Sequence, residues 1–212
     1  MKMHNTHTSE EDFCLFCSLL YKRHLVTGVG GNLSIRVGDR IFMTPTGYSL
    51  RNLTPNRLVT VNKKGRVLGK GIPTKDMDLH LGILGKRPEI NVVCHVHGAF
   101  IISASALMDP GHDTLPPVTP GFVYFAYPLK MISFAVPGTK EFVNAAVEHF
   151  VNPESRALLL QNHGLVTVAE NFDTALNIAE EIDEAARVYV LTNGRAQCVP
   201  VEDVSNIRSN RI

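Results

Sequence analysis

A chain of 212 residues that is 44% hydrophobic is long enough to bury a substantial core and short enough to make one domain, 1–212, the natural expectation. Its 21 Lys and Arg against 20 Asp and Glu leave a formal charge of +1, and no like-charge block offers a nucleic-acid or polybasic membrane surface. No apolar run approaches the roughly 20 residues that span a bilayer, and the polar start MKMHNTHTSEED lacks the apolar stretch of a secretory signal, so the expected location is cytoplasmic.

Thr8 and Glu11 have the spacing of a capping box before EDFCLFCSLLYKRH, whose apolar residues recur at helical intervals. Cys14 and Cys17 fall on that apolar face as small buried side chains, and no second cysteine pair completes a metal site. TGVGGNLSIRV, the turn at Gly38-Asp39 and RIFMT read as a hairpin, and LVTVNKKGRVLG as a second one turning near Lys64-Gly65. A helix through DMDLHLGILGKR precedes the strand INVVCHV, and GAFIISASALM returns to a helical period. The segment DPGHDTLPPVTPGFVYFAYPLK has no single period and reads as loop plus strand with open boundaries. TKEFVNAAVEHF reads as helix, RALLLQN and GLVTVA as strands, and FDTALNIAEEIDEAARVYVLTN as a long amphipathic helix. The core runs from about 9 to 191, and 192–212 reads as a polar tail or oligomer contact. Without an internal repeat or linker, the pattern predicts one α/β domain with helices covering a mainly antiparallel sheet.

VVCHVHGAF carries the chemistry. Strand side chains alternate, so His95 and His97 project to one face and offer two imidazoles to one cation. A third ligand is needed, and His163 in LLLQNHGLVTV again follows an apolar strand and precedes glycine. Three histidines leave coordination positions open, as a catalytic site requires. Gly30-Gly31-Asn32-Leu33-Ser34 and Thr44-Pro45-Thr46-Gly47 combine flexible backbone with short donors suited to phosphate oxygens. Gly71-Ile72-Pro73-Thr74-Lys75-Asp76 adds a hydroxyl, an ammonium and a carboxylate where a helix begins. Thr74 there has a plainer reading as a cap, with Lys75 and Asp76 solvated. His80, one turn after Asp76, either orients that carboxylate or packs under the strand. His4, His7, His24, His112 and His149 read as surface or locally bonded residues.

GGNLSIR, TPTG followed by LRNLTPNRLVTV, PTKD, HVHG, VPGTKEF and QNHGLVTVAENFDTAL, in this order from about Glu11 to Leu191, resemble the class II aldolase/adducin family. The resemblance implies a three-layer α/β/α sandwich around a mainly antiparallel sheet, assembled as a homotetramer with sites between subunits. It implies one divalent ion per subunit, zinc before manganese or cobalt, on His95, His97 and His163. It implies a substrate phosphate near Gly31, Asn32, Thr46, Gly47, Thr74 and Lys75, and an acid/base at Asp76 that is also a metal ligand in some resting sites.

Two residues depart from the aldolases of the family. Asp76 stands where they carry glutamate, shortening the reach by one bond of roughly 1.5 Å, and Phe134 stands where a tyrosine donor is usual, with Tyr124 or Tyr127 as substitutes. Lys75, in place of a serine, resembles the branch that decarboxylates 3-oxo-tetronate 4-phosphates. Decarboxylation tolerates loss of a tyrosine donor better than aldol cleavage does, so the expectation is a metal-dependent lyase of that type. A sugar-phosphate aldolase comes next, then an aromatic hydroxy-acid decarboxylase drawing on PGFVYFAYP. An adducin-like assembly module is the non-catalytic alternative, opposed by the intact histidines.

Overall fold

The computed structural model describes residues 9–111 and 115–210. Helix α1, Glu10–Lys22, begins at a capping box, one residue later than the sequence spacing indicates: Ser9 and Asp12 exchange side-chain and backbone bonds. Thr8, like His4, His7 and His112, lies outside the described residues. Phe13, Phe16, Cys17 and Leu20 bury one face of α1.

Strands β1 (Asn32–Val37), β2 (Arg40–Met43), β3 (Val59–Asn62), β4 (Val92–Val96), β5 (Lys130–Ile132), β6 (Ala157–Leu160) and β7 (Gly164–Ala169) form one sheet in the order β3-β2-β1-β4-β7-β6-β5. Every neighbouring pair is antiparallel except β5 with β6. The β1–β2 hairpin is as expected, whereas the second hairpin closes only through a Val61–Val67 bridge.

Strand alternation divides the core. Leu33, Ile35, Val92, Cys94 and Val96 pack with α1 and with α3 (Ala99–Leu107), α4 (Pro120–Phe125) and α6 (Phe172–Leu191). Val93, Val166, Val168, Leu158 and Leu160 face α2 (Met77–Lys86) and α5 (Lys140–His149). The result is the expected α/β/α sandwich, and no described helix is long and apolar enough to cross a membrane.

Two segments differ from their sequence reading. The irregular middle holds α4, capped by Thr119 with Pro120 in its first turn, a start that needs no apolar period. The tail forms α7, Val201–Ser209, against α4.

Candidate active site

Asn32 on β1 is paired with His95 on β4. Both face the α2/α5 side of the sheet, and His97 follows two residues later on the same side. Turn 161–163 brings in His163: Asn162 takes φ 55°, and its backbone N–H donates to the buried Ser105 Oγ at 3.0 Å. Gly164 is compelled by proximity, because a Cβ there would stand 2.2 Å from the Val96 carbonyl oxygen and 2.9 Å from His97 Cδ2.

His95 Nδ1 donates to the Leu165 carbonyl at 3.0 Å. A carbonyl only accepts, so the His95 proton resides on Nδ1 and Nε2 carries the lone pair. That Nε2 lies 2.9 Å from His97 Nε2 and 3.3 Å from His163 Nε2. Nitrogens meeting this closely need a proton or a cation among them. Zinc bonds to imidazole of about 2.0–2.1 Å put two tetrahedral ligands roughly 3.3–3.4 Å apart, so the trio fits a divalent ion. Among the described residues these are the His, Cys, Asp or Glu groups whose donor atoms converge, within 4.8 Å of one another.

Burial keeps the trio neutral and able to ligate. Desolvation pushes His95 far below the ordinary histidine range, helped by His97 and His163. Desolvation, aided by His163, takes His97 down to about 4, while the Asp76 charge opposes the shift. His163 is lowered by burial against the same Asp76 charge. Asp76 is therefore close to the trio electrostatically, but its oxygens are not in the convergent set.

A cavity of about 330 Å³ opens in front of His97 and His163. All six residues expected at a phosphate line it, namely Gly31, Asn32, Thr46, Gly47, Thr74 and Lys75, and so does Asp76. Lys75 is the only Lys or Arg in the lining. The loops are fastened to one another: Thr46 N–H donates to Ile72 O at 3.0 Å and Thr74 N–H to Thr44 O at 2.9 Å. Gly31 takes φ 76° hard against Val26 and the His95 carbonyl, a conformation that disfavours a side chain.

Asp76 occupies the N-cap of α2 without capping it. Its own N–H meets Thr74 Oγ at 3.3 Å, so Thr74 braces the turn before the helix. The Asp76 carboxylate instead accepts from Asn32 Nδ2 at 2.7 Å.

Val29, Pro137 and Gly138 also line the cavity, and sequence reasoning gave them no part; the motif VPGTKEF was the available signal for the last two. Phe134 is 54% exposed and outside the lining, its N–H donating to Gln161 Oε1. Tyr124 is on α4, and Tyr127 lines a separate cavity beside His149 and Arg156, so within one chain neither replaces a tyrosine at the site. His24 is exposed, and His149 donates to the Ala157 carbonyl.

A histidine trio able to hold a metal ion stands beside a loop-lined cavity, on a sheet covered by helices on both faces. The chain belongs to the class II aldolase and adducin family, whose N-terminal domain matches residues 11–190. A 3-oxo-tetronate 4-phosphate decarboxylase of Haemophilus influenzae is 31% identical over 82% of this chain and 83% of its own. An L-fuculose phosphate aldolase of Methanococcus maripaludis is 32% identical over 86% of this chain and 97% of its own. The crystal structure of YgbL from Escherichia coli superposes with a TM-score of 0.88 at 28% identity, covering 94% and 97% of the two chains.

Proposed function

We propose that this lyase of the class II aldolase family decarboxylates a 3-oxo-tetronate 4-phosphate or a close phosphorylated keto acid. The observation that carries the reading is the one cavity that His97, His163, Asp76 and Lys75 line together, with the buried His95 directly behind the two histidines. Relatives of both the decarboxylase and the aldolase kind support the lyase chemistry.

His95, His97 and His163 would hold the ion, zinc by our reading with manganese and cobalt as rivals. Such an ion supplies positive charge where oxygen becomes negative as a carbon–carbon bond breaks. Lys75 and the backbone of the 30–32 and 44–47 loops hold the phosphate. The bond between the carboxylate carbon and its neighbour breaks, carbon dioxide leaves, and the electron pair is shared with the adjacent carbonyl. The carbon that lost the carboxylate then takes up one proton, drawn from solvent and passed on by the Asp76 carboxylate. No tyrosine lines the cavity, and this reaction asks for no second donor. Aldol cleavage of a sugar phosphate is the second reading, favoured by the similarity to the fuculose phosphate aldolase.

By the family resemblance the working form is a homotetramer, and Val29 at the cavity, 62% exposed, offers a neighbouring subunit apolar surface. The test is to give metal-loaded protein a 3-oxo-tetronate 4-phosphate and, separately, ketose 1-phosphates. Carbon dioxide release from the first supports the proposal, cleavage of the second alone supports the aldolase, and turnover of neither contradicts both.

A further inference from the structure

His80 is fully buried on α2, yet it has two ring nitrogens that must be satisfied away from water. Ser34 Oγ lies 2.7 Å from Nδ1, and Asn32 Oδ1 lies 2.5 Å from Nε2. Ser34 and Asn32 are two apart on β1 and so present both groups to the same face, beneath α2. The sequence left His80 between orienting Asp76 and packing under the strand. These contacts join His80 to Asp76 through Asn32.

The directions of the bonds follow from their far end. A carboxylate only accepts, so Asn32 presents its NH2 to Asp76 Oδ2 and its carbonyl oxygen to His80. His80 Nε2 is then the protonated nitrogen, and Nδ1 holds the lone pair that accepts the Ser34 hydroxyl. The donors run in one sense, Ser34 to His80 to Asn32 to Asp76, an order in which each bond polarises the next. Burial pushes His80 down to about 4, against the charge of Asp76, which agrees with a neutral ring. Because a carboxamide does not pass a proton along, the chain holds rather than relays.

An aspartate at an N-cap ordinarily turns back to the first helical N–H groups. Asp76 makes no such bond; Asn32 draws it towards the histidine side. With Oδ2 occupied, Oδ1 is the oxygen left to carry or receive a proton. Support from behind also bears on the shorter side chain, since the position of a proton-transfer group counts for more than its length.

We propose that Ser34, His80 and Asn32 form a positioning chain that fixes Asp76 Oδ2 and turns Oδ1 to the substrate, with His80 as its central positioning residue. The proposal rests on the reading of Asp76 as the group that moves the proton.

Two measurements test it. Long-range nitrogen–proton NMR of the histidine rings in metal-loaded protein needs no substrate. The expected result is His80 as the Nε2–H tautomer at neutral pH, with that resonance displaced by Asp76→Asn; an Nδ1–H tautomer or a charged ring overturns the chain. In turnover, His80→Leu fills the space without a donor, while His80→Gln retains an N–H for Asn32. The leucine variant should lose roughly 10–100-fold in kcat with KM and bound metal little altered, and glutamine should restore most of the loss. Full kcat in His80→Leu, or equal losses in both variants, contradicts the proposal. Should His80→Leu fail to fold, the tautomer and the glutamine variant decide. An inactive wild type with the expected tautomer counts against the functional reading, whereas an active wild type with the other tautomer overturns the positioning chain.

Discussion

Asn32 on β1 and His95 on β4 stand opposite one another in the antiparallel ladder, so a single strand register places the residue that bonds Asp76 beside one member of the histidine trio. A slip of one residue would send both to the apolar side, where Leu33 and Cys94 pack. The site is thus a property of the sheet register, to which the loops add the rest of the cavity lining.

Replacing Asp76 by asparagine removes the proposed proton-moving group while keeping its shape. Turnover should fall by about 10²-fold or more, with the metal retained because the carboxylate is outside the convergent trio. Steady-state kinetics alongside metal analysis checks this, and unchanged turnover removes Asp76 from its proposed role.

Lys75 is exposed at the cavity and is its only cation of the lysine or arginine type. Lys75→Ala should raise KM for a phosphorylated substrate about tenfold while kcat changes less. An unaltered KM means that the phosphate is held elsewhere.

Much of this site was legible in the sequence because its signals are local. Alternation puts His95 and His97 on one face, and glycine beside short hydroxyl residues marks the loops. The link from His80 to Asn32 spans 48 residues and depends on how α2 lies over β1, which no local pattern encodes. Helix α4 was hidden by its length of six residues, too short to display a helical period, although Thr119-Pro120 is a start signal. Helix α7 was hidden by its lack of buried residues.

Gly164→Ala places a methyl against the Val96 carbonyl and the His97 ring. The substitution should destabilise the fold by about 1–3 kcal/mol and weaken metal binding together. Chemical denaturation and metal titration measure the two effects, and an alanine variant equal to wild type in both would show that the two strands separate freely.

Acid should weaken the metal-free protein. His80 and His97 have folded values near 4 against an ordinary 6.5, so below about 6.5 the unfolded chain binds protons that the folded chain does not. Stability is then fully present above 6.5 and declines as pH falls towards 4, by up to ~1.4 kcal/mol per pH unit for each such histidine. Denaturation at pH 7, 6 and 5 tests the sign, and a flat profile contradicts it.

Light scattering should return four times the 23.4 kDa chain mass if the homotetramer is the working form. A monomer at working concentrations would leave the cavity as open as it is in one chain.

Metal analysis of purified wild type beside the folded His95→Ala/His163→Ala variant is the first test of a divalent ion on His95, His97 and His163. About one ion per chain is expected in the wild type and none in the variant. No ion in the wild type even after reconstitution, or equal metal in both proteins, would contradict that expectation.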